Sequence, residues 1–232
     1  MGARKAVKGS AAEVVPRPWE LPRGAVAKLR AQDAALGRLI KRVGPPTVMI
    51  GNVDGHMAAL LRSIVFQQLS GKAATTIFDR VRGLFPAARF PSAVEVLAKS
   101  DAELRGCGLS GQKLGYVRDL CSRVADGRLD FAALPDLSDD EVIKKVTEVK
   151  GIGRWTAEMF LMFHLGRLDV WPVDDLGIRK GVGLLHGHAE LPTAKQLEPL
   201  RARYSPYASV ATWYLWRLLE LPEEDQLQVR TG

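Results

Sequence analysis

The amino-acid sequence predicts an all-α protein of some ten helices joined by short loops. Three observations carry this. Apolar residues recur at three- and four-residue intervals in one segment after another. Two Ser-x-x-Glu capping boxes, Ser100–Glu103 and Ser138–Glu141, each stand before such a segment. No stretch shows the two-residue alternation that would mark a half-buried strand. The 232 residues suit one large domain or two small, closely packed ones.

Taken in order, residues 1–18 carry Lys, Arg, Gly, Ser and Pro without periodicity and are expected to form a disordered basic arm. Residues 24–42 read as one helix, with Val26, Leu29, Ala35, Leu36, Leu39 and Ile40 on roughly one side, ended by Gly44-Pro45-Pro46. A helix from Asp54 to Gln67 turns Leu60, Leu61, Ile64 and Val65 inward and is interrupted at Leu69-Ser70-Gly71. The next, over 71–84, buries Ala74, Ile77, Val81 and Leu84. After a loop bracketed by Pro86 and Pro91, short helices are predicted at 94–98 and behind Ser100. Gly108-Leu109-Ser110-Gly111 precedes a helix at 112–125. The Ser138 box opens one with Val142, Ile143, Val146 and Val149 on one side. Helices are then expected from Arg154 to His164 and at 176–185, 195–203 and 206–220, with 223–232 a tail.

An apolar fraction of 47% with 25% charged residues excludes a wholly disordered chain. No apolar run approaches the ~20 residues that span a bilayer, and no membrane partner is expected. The N-terminus lacks the apolar stretch of a secretory signal. Two cysteines, Cys107 and Cys121, exclude a disulfide scaffold and a four-cysteine metal site, and suit a reducing compartment. The net charge of +7 suggests a polyanion partner, but residues 1–42 alone carry all of it. A nucleic-acid argument therefore has to come from particular sites.

The most informative segment is Val146 to Ala157, where Gly151-Ile152-Gly153 turns the chain between two amphipathic helices. Glycine allows a positive φ and leaves no Cβ in the way of a bulky ligand. The helix that follows begins with unpaired amides and a positive dipole end, a site for a DNA phosphate without base readout. Ile152 would anchor the turn inward, with Lys150 and Arg154 at its rim. The same pattern also serves any tight interhelical turn. Some twenty residues on comes Trp171-Pro172-Val173-Asp174-Asp175. Aspartate is a preferred helix cap, so one of the pair is explained by capping and one is spare. A positioned carboxylate can stabilise the positive charge of a sugar cation or orient water against it.

Hairpin and acid pair, at this distance, resemble the helix–hairpin–helix DNA glycosylases whose hairpin is followed by a Gly/Pro-rich stretch and an aspartate. Within them the chain is similar to the 3-methyladenine DNA glycosylase II (AlkA-like) branch, over about residues 52–220. The resemblance rests on Ile64-Val65-Phe66-Gln67-Gln68-Leu69-Ser70, Gly108-Leu109-Ser110-Gly111-Gln112-Lys113, Val149 to Ala157, Trp171 to Asp175 and Ser205-Pro206-Tyr207, in this order and spacing. It implies two closely packed helical subdomains with the active-site cleft between them: residues 19–52 with 165–222, and residues 53–164 including the hairpin. Long family members have a further β-rich N-terminal domain; this would be a compact form without it.

By the same resemblance Asp175 is the catalytic aspartate, with Asp174 the helix cap or a supporting group. The DNA-intercalating wedge falls on Gln67, Gln68, Leu69 and Ser70, with Gln68 or Leu69 filling the gap left by an everted base. Lys150, Gly151, Ile152, Gly153 and Arg154 hold phosphates. The carbonyls of Thr147, Val149 and Ile152 lie where such hairpins hold a sodium or potassium ion; no other cofactor is expected. Trp155, Met159 and Tyr207 match the base pocket, although Met159 stands where a relative has a ring. Glycosylases that also cut the strand carry a lysine two residues after the second hairpin glycine, which forms a Schiff base with the sugar. Here that residue is Trp155, so base removal alone is expected; Lys150 and Lys180 are not at that position. Trp171 and Trp216 are read as core, and His56, His164, His186 and His188 as packing or surface residues, with His56 a possible DNA contact.

The expected activity is hydrolytic excision of alkylated bases of the 3-methyladenine and 7-methylguanine type from duplex DNA, by a monomer. The expected compartment is a bacterial cytosol, at the nucleoid, or the nucleus if the source is eukaryotic. Two rivals stand beside it: a non-catalytic hairpin module that only binds DNA backbone, and a glycosylase for oxidised or deaminated bases.

Overall fold

The computed structural model describes residues 16–51, 54–86 and 89–231. Most of the basic arm expected at 1–18 therefore lies outside the described residues. The chain runs β1 (Arg17–Pro18), α1 (Ala25–Gln32), α2 (Ala34–Val43), β2 (Met49–Ile50), α3 (Gly55–Phe66), α4 (Gly71–Gly83), α5 (Ala93–Ala98), α6 (Asp101–Gly106) and α7 (Gly111–Ala125). A 3-10 turn at Leu134–Asp136 leads to α8 (Asp139–Thr147) and α9 (Arg154–Phe160). A π-helical turn over Leu161–Leu165 extends α9; then come α10 (Leu176–His186), α11 (Ala194–Tyr204), α12 (Ala208–Glu220) and α13 (Glu223–Thr231). The all-α expectation holds, with one small addition: β1 and β2 pair antiparallel, Arg17 opposite Ile50 and Pro18 opposite Met49. Arg17 and Pro18 thus belong to a strand rather than to a disordered arm.

The described chain divides into two units. The first is built from Gly51–Ile152. Its centre is α3, on which Met57, Ala58, Ala59, Leu60, Leu61, Ile64 and Val65 are all buried, more than one face of an amphipathic helix supplies. Around it α4, α5, α6, α7 and α8 each begin at a serine, Ser70, Ser92, Ser100, Ser110 and Ser138, whose hydroxyl accepts an amide three residues on. Such a cap contributes about 1 kcal/mol to each helix. Ser100 and Ser138 form full capping boxes as expected, and Ser92 with Glu95, the same Ser-x-x-Glu pattern, forms another. On α4 the buried residues are Ala74, Phe78 and Val81, while Ile77 and Leu84 are only half-buried. Both cysteines are buried free thiols.

The second unit is Arg17–Ile50 together with Gly153 onward. Its centre is α12, buried without a break from Ala208 to Leu215. The helix expected over 24–42 is two helices. Asp33 stops the first and caps the second, accepting the Leu36 amide at 3.0 Å and the Tyr204 hydroxyl at 2.7 Å. The tail expected at 223–232 is α13. Arg42 grips Asp225 with both guanidinium arms, and Arg38 donates to the carbonyls of Val229 (2.7 Å) and Arg230 (3.1 Å) at the C-terminal end. The division between units falls at Ile152/Gly153, not at 164/165. The π-helical turn after α9 lies against β2, and Gly166 receives the Trp19 indole on its carbonyl, so this segment belongs with the terminal residues.

Candidate active site

In the second unit, Asp175 sits where an extended loop becomes a helix. The loop is held at its start by α12: Ser209 Oγ donates to the Arg167 carbonyl and accepts the Val170 amide, both at 2.8 Å. Asp169 accepts the Ser205 hydroxyl (2.8 Å) and the Ala208 amide (3.2 Å). Asp175 is itself the cap of α10, its Oδ1 accepting the Ile178 amide at 2.8 Å. Asp174 is exposed and does not cap, which corrects the division of labour expected for the pair.

Two indoles complete the shell of Asp175. Trp155 Nε1 donates to Oδ2 at 2.6 Å and Trp216 Nε1 donates to Oδ1 at 3.0 Å. Oδ1 therefore carries two donors, which fills its lone pairs, whereas Oδ2 carries one and keeps an acceptor position open. Asp175 is half-buried, and Trp155 is 49% exposed, unusual for a ring of that size. Trp216 was expected in the core; it is half-buried, stacks on Phe163 with centroids 5.9 Å apart, and serves the aspartate. The sequence separation of 41 between Trp216 and Asp175 leaves no local signal for this. Gly177 shows how tight the arrangement is: a Cβ there would lie 2.9 Å from Asp175 Oδ1 and 2.9 Å from the Trp216 ring.

Glu158 was also missed. It lies one turn after Arg154 on α9, is 3% exposed, and receives Arg154 Nε at 2.9 Å. Burial pushes its carboxyl above the usual range, the Arg154 guanidinium opposes this, and the negative charges of Asp174 and Asp175 add to it. Arg154, expected at a phosphate, is thus an ion-pair partner as well. Met159 is half-buried on α9. Tyr207 stands at the start of α12 with the Lys28 ammonium 5.9 Å from its ring centre, so a cation already faces that ring. Trp171 is core, donating to the Leu197 carbonyl at 3.0 Å.

The first unit holds the expected wedge and turn. Gln67 ends α3; Gln68 has φ +54, the one non-glycine residue with positive φ among the described residues; Leu69 is 40% exposed and Ser70 caps α4. In the hairpin turn Gly151 has φ +81 and Ile152 is buried, while Lys150 is exposed with its amide on Asp119 Oδ2 at 2.9 Å. Thr147 closes α8, and the Val149 carbonyl accepts the Ile152 amide at 3.1 Å. Gly153 opens α9 in the second unit, with no side chain capping that helix. Of the histidines, His56 lies against Phe131 and burial lowers its pKa, His164 stacks on Phe160, and His186 meets Asp33 and Tyr204. Lys180 is exposed.

A carboxylate capping a helix behind a Pro-containing loop, two indoles bonded to it, and a Gly-Ile-Gly hairpin define a class. The chain belongs to the HhH-GPD superfamily of base excision DNA repair proteins, which residues 61–206 match. It is 35% identical over 198 residues to DNA-3-methyladenine glycosylase 1 of Schizosaccharomyces pombe, covering 84% of this chain and 86% of that protein. Among solved structures it resembles a DNA-3-methyladenine glycosidase from Bacillus halodurans at 39% identity and TM-score 0.78, covering 88% of this chain and 91% of that one. It also resembles the S. pombe 3-methyladenine DNA glycosylase in complex with abasic DNA, at 34% identity and TM-score 0.74, covering 85% and 97%.

Proposed function

We propose that this protein is a monofunctional DNA glycosylase that removes alkylated purines, of the 3-methyladenine and 7-methylguanine type, from duplex DNA. The observation that carries the reading is the half-buried Asp175 carboxylate, fixed by three N–H donors and beside an exposed indole. The names of the relatives and the abasic-DNA complex support it.

In this mechanism the hairpin holds phosphate, and Gln68 or Leu69 enters the stack as the damaged nucleotide turns out. The open lone pair of Asp175 Oδ2 faces the deoxyribose. The glycosidic C1′–N bond breaks with its electrons going to the purine. Water then adds to C1′ and gives a proton to solvent. The carboxylate stabilises the oxocarbenium charge between these steps without forming a bond. An alkylated purine is already cationic, so it leaves without a strong general acid, and the Trp155 face attracts it by about 0.5–2 kcal/mol. A sodium or potassium ion at the Thr147, Val149 and Ile152 carbonyls belongs to the same reading. Val149 keeps one lone pair after accepting Ile152, carbonyl oxygen suits such an ion, and no chemical step passes through it.

Two results are expected. Borohydride added during turnover traps no covalent protein–DNA adduct, because the position of the Schiff-base lysine is Trp155; a trapped adduct on denaturing gels contradicts base removal alone. Gly177→Ala drives its methyl against Asp175 and Trp216 and slows base release by about 10²-fold, the scale of a misplacement near 1 Å. Its affinity for DNA stays near that of the wild type. Unchanged single-turnover release by this variant contradicts the role assigned to the carboxylate shell.

A further inference from the structure

The helix α7 carries, on one face, the side chains that fasten the turn at Gln67–Ser70 and the hairpin turn at Lys150–Ile152. Lys113 Nζ donates to the carbonyls of Val65 and Gln67, each at 2.7 Å, at the C-terminal end of α3. A cation there satisfies carbonyls that lack helical partners and complements the helix dipole. The residue that follows, Gln68, is the one held in the left-handed region, where a side chain of its kind is rarely found. Gln67 in turn donates its carboxamide to the Gly151 carbonyl at 2.7 Å, tying the wedge turn to the hairpin turn. One turn beyond Lys113, the Tyr116 ring lies so close under Gly151 that a Cβ there would meet it at 2.1 Å. A further turn on, Asp119 receives the Lys150 amide and is held by Arg123, which also reaches Glu148 at 3.0 Å.

We propose that Lys113 is a positioning residue for base eversion: by holding the Val65 and Gln67 carbonyls it keeps Gln68 in its left-handed conformation and Gln67 on the hairpin, so that wedge and hairpin advance on the duplex as one piece. The proposal rests on the glycosylase reading above. Lys113 touches neither base nor sugar in it. Burial lowers the Lys113 pKa, and both carbonyls accept hydrogen bonds from its amino group.

A positioning role separates from a merely structural one by substrate. Lys113→Met removes the ammonium and keeps the stem. On a duplex with one paired 7-methyl-2′-deoxyguanosine it is expected to slow single-turnover release about ten-fold or more. On the same nucleotide in a one-residue bulge, where unpairing costs little, release stays within about three-fold of the wild type. Lys113→Arg, which can also donate to two carbonyls, restores the paired substrate. Equal losses on both substrates, or no loss on the paired one, overturn the proposal. If Lys113→Met does not fold, Lys113→Gln with its single donor is compared with Lys113→Arg on the same two substrates and the same outcomes decide. Eversion is read in addition from 2-aminopurine fluorescence opposite an abasic analogue, which needs no chemistry. A flat signal in Lys113→Met and a rising one in the wild type support the proposal even if the wild type releases no methylated base, a result that would count against the glycosylase reading instead.

Discussion

Asp175→Asn is expected to lower single-turnover release of 7-methylguanine by on the order of a thousand-fold or more, the scale of removing one preorganised electrostatic partner from a transition state. Asparagine keeps the cap, because its carbonyl oxygen can still accept the Ile178 amide and the Trp216 indole. The amide group then faces the Trp155 N–H, which stands 2.6 Å from Oδ2 in the native protein, so donor meets donor. Losing that bond, which lies at a solvent-exposed ring, costs about 0.5–1.5 kcal/mol. The variant therefore loses both the negative charge at the sugar and one restraint on Trp155, while the wedge turn and Lys150–Ile152, in the other unit, are untouched. Binding to an abasic duplex, measured by anisotropy, should stay within about five-fold, since phosphate contacts carry most of it. Release within ten-fold of the wild type would remove Asp175 from the mechanism.

Gly151→Ala is expected to have the largest effect on the fold around the hairpin. Alanine at φ +81 costs about 1–2 kcal/mol in backbone conformation. Its methyl would also lie 2.1 Å from the Tyr116 ring, an overlap whose relief costs a further ~1–3 kcal/mol. A total of about 2–5 kcal/mol lowers the melting temperature by roughly 4–20 °C in a chain of this length. DNA affinity falls as well, because the Gly151 carbonyl that fastens Gln67 has to move. The double variant Gly151→Ala with Tyr116→Ala removes the ring that the methyl meets. The coupling between the two changes should then be favourable by about 1 kcal/mol or more, as measured in a double-mutant cycle. Native melting and affinity in Gly151→Ala alone would show that the turn does not need its glycine.

What was legible beforehand follows how local the physics is. The helices from α3 to α8 could be read because each is announced by a serine, a glycine or a proline within a few residues. The hairpin could be read because its two glycines flank one apolar residue between helical patterns; of the pair Asp174 and Asp175, the family resemblance and not the spacing singles out Asp175. What escaped acts over long separations in sequence. Asp33 breaks a continuous apolar pattern because Tyr204, 171 residues away, donates to it. Trp216 reads as one more apolar residue of α12, yet its indole donates to Asp175. The α13 helix has a polar sequence with little amphipathic signal, and its place is settled by Arg38 and Arg42. Glu158 is a charged residue at an ordinary helix position; only burial and its partner mark it out.

The most direct test follows both products from a duplex carrying a single 7-methyl-2′-deoxyguanosine and an end label. Free 7-methylguanine is expected by chromatography, with a labelled strand that stays full-length until alkali is added, then breaks at the lesion. Binding of that duplex with no base released, or strand scission that accompanies release without alkali, would contradict the proposed activity.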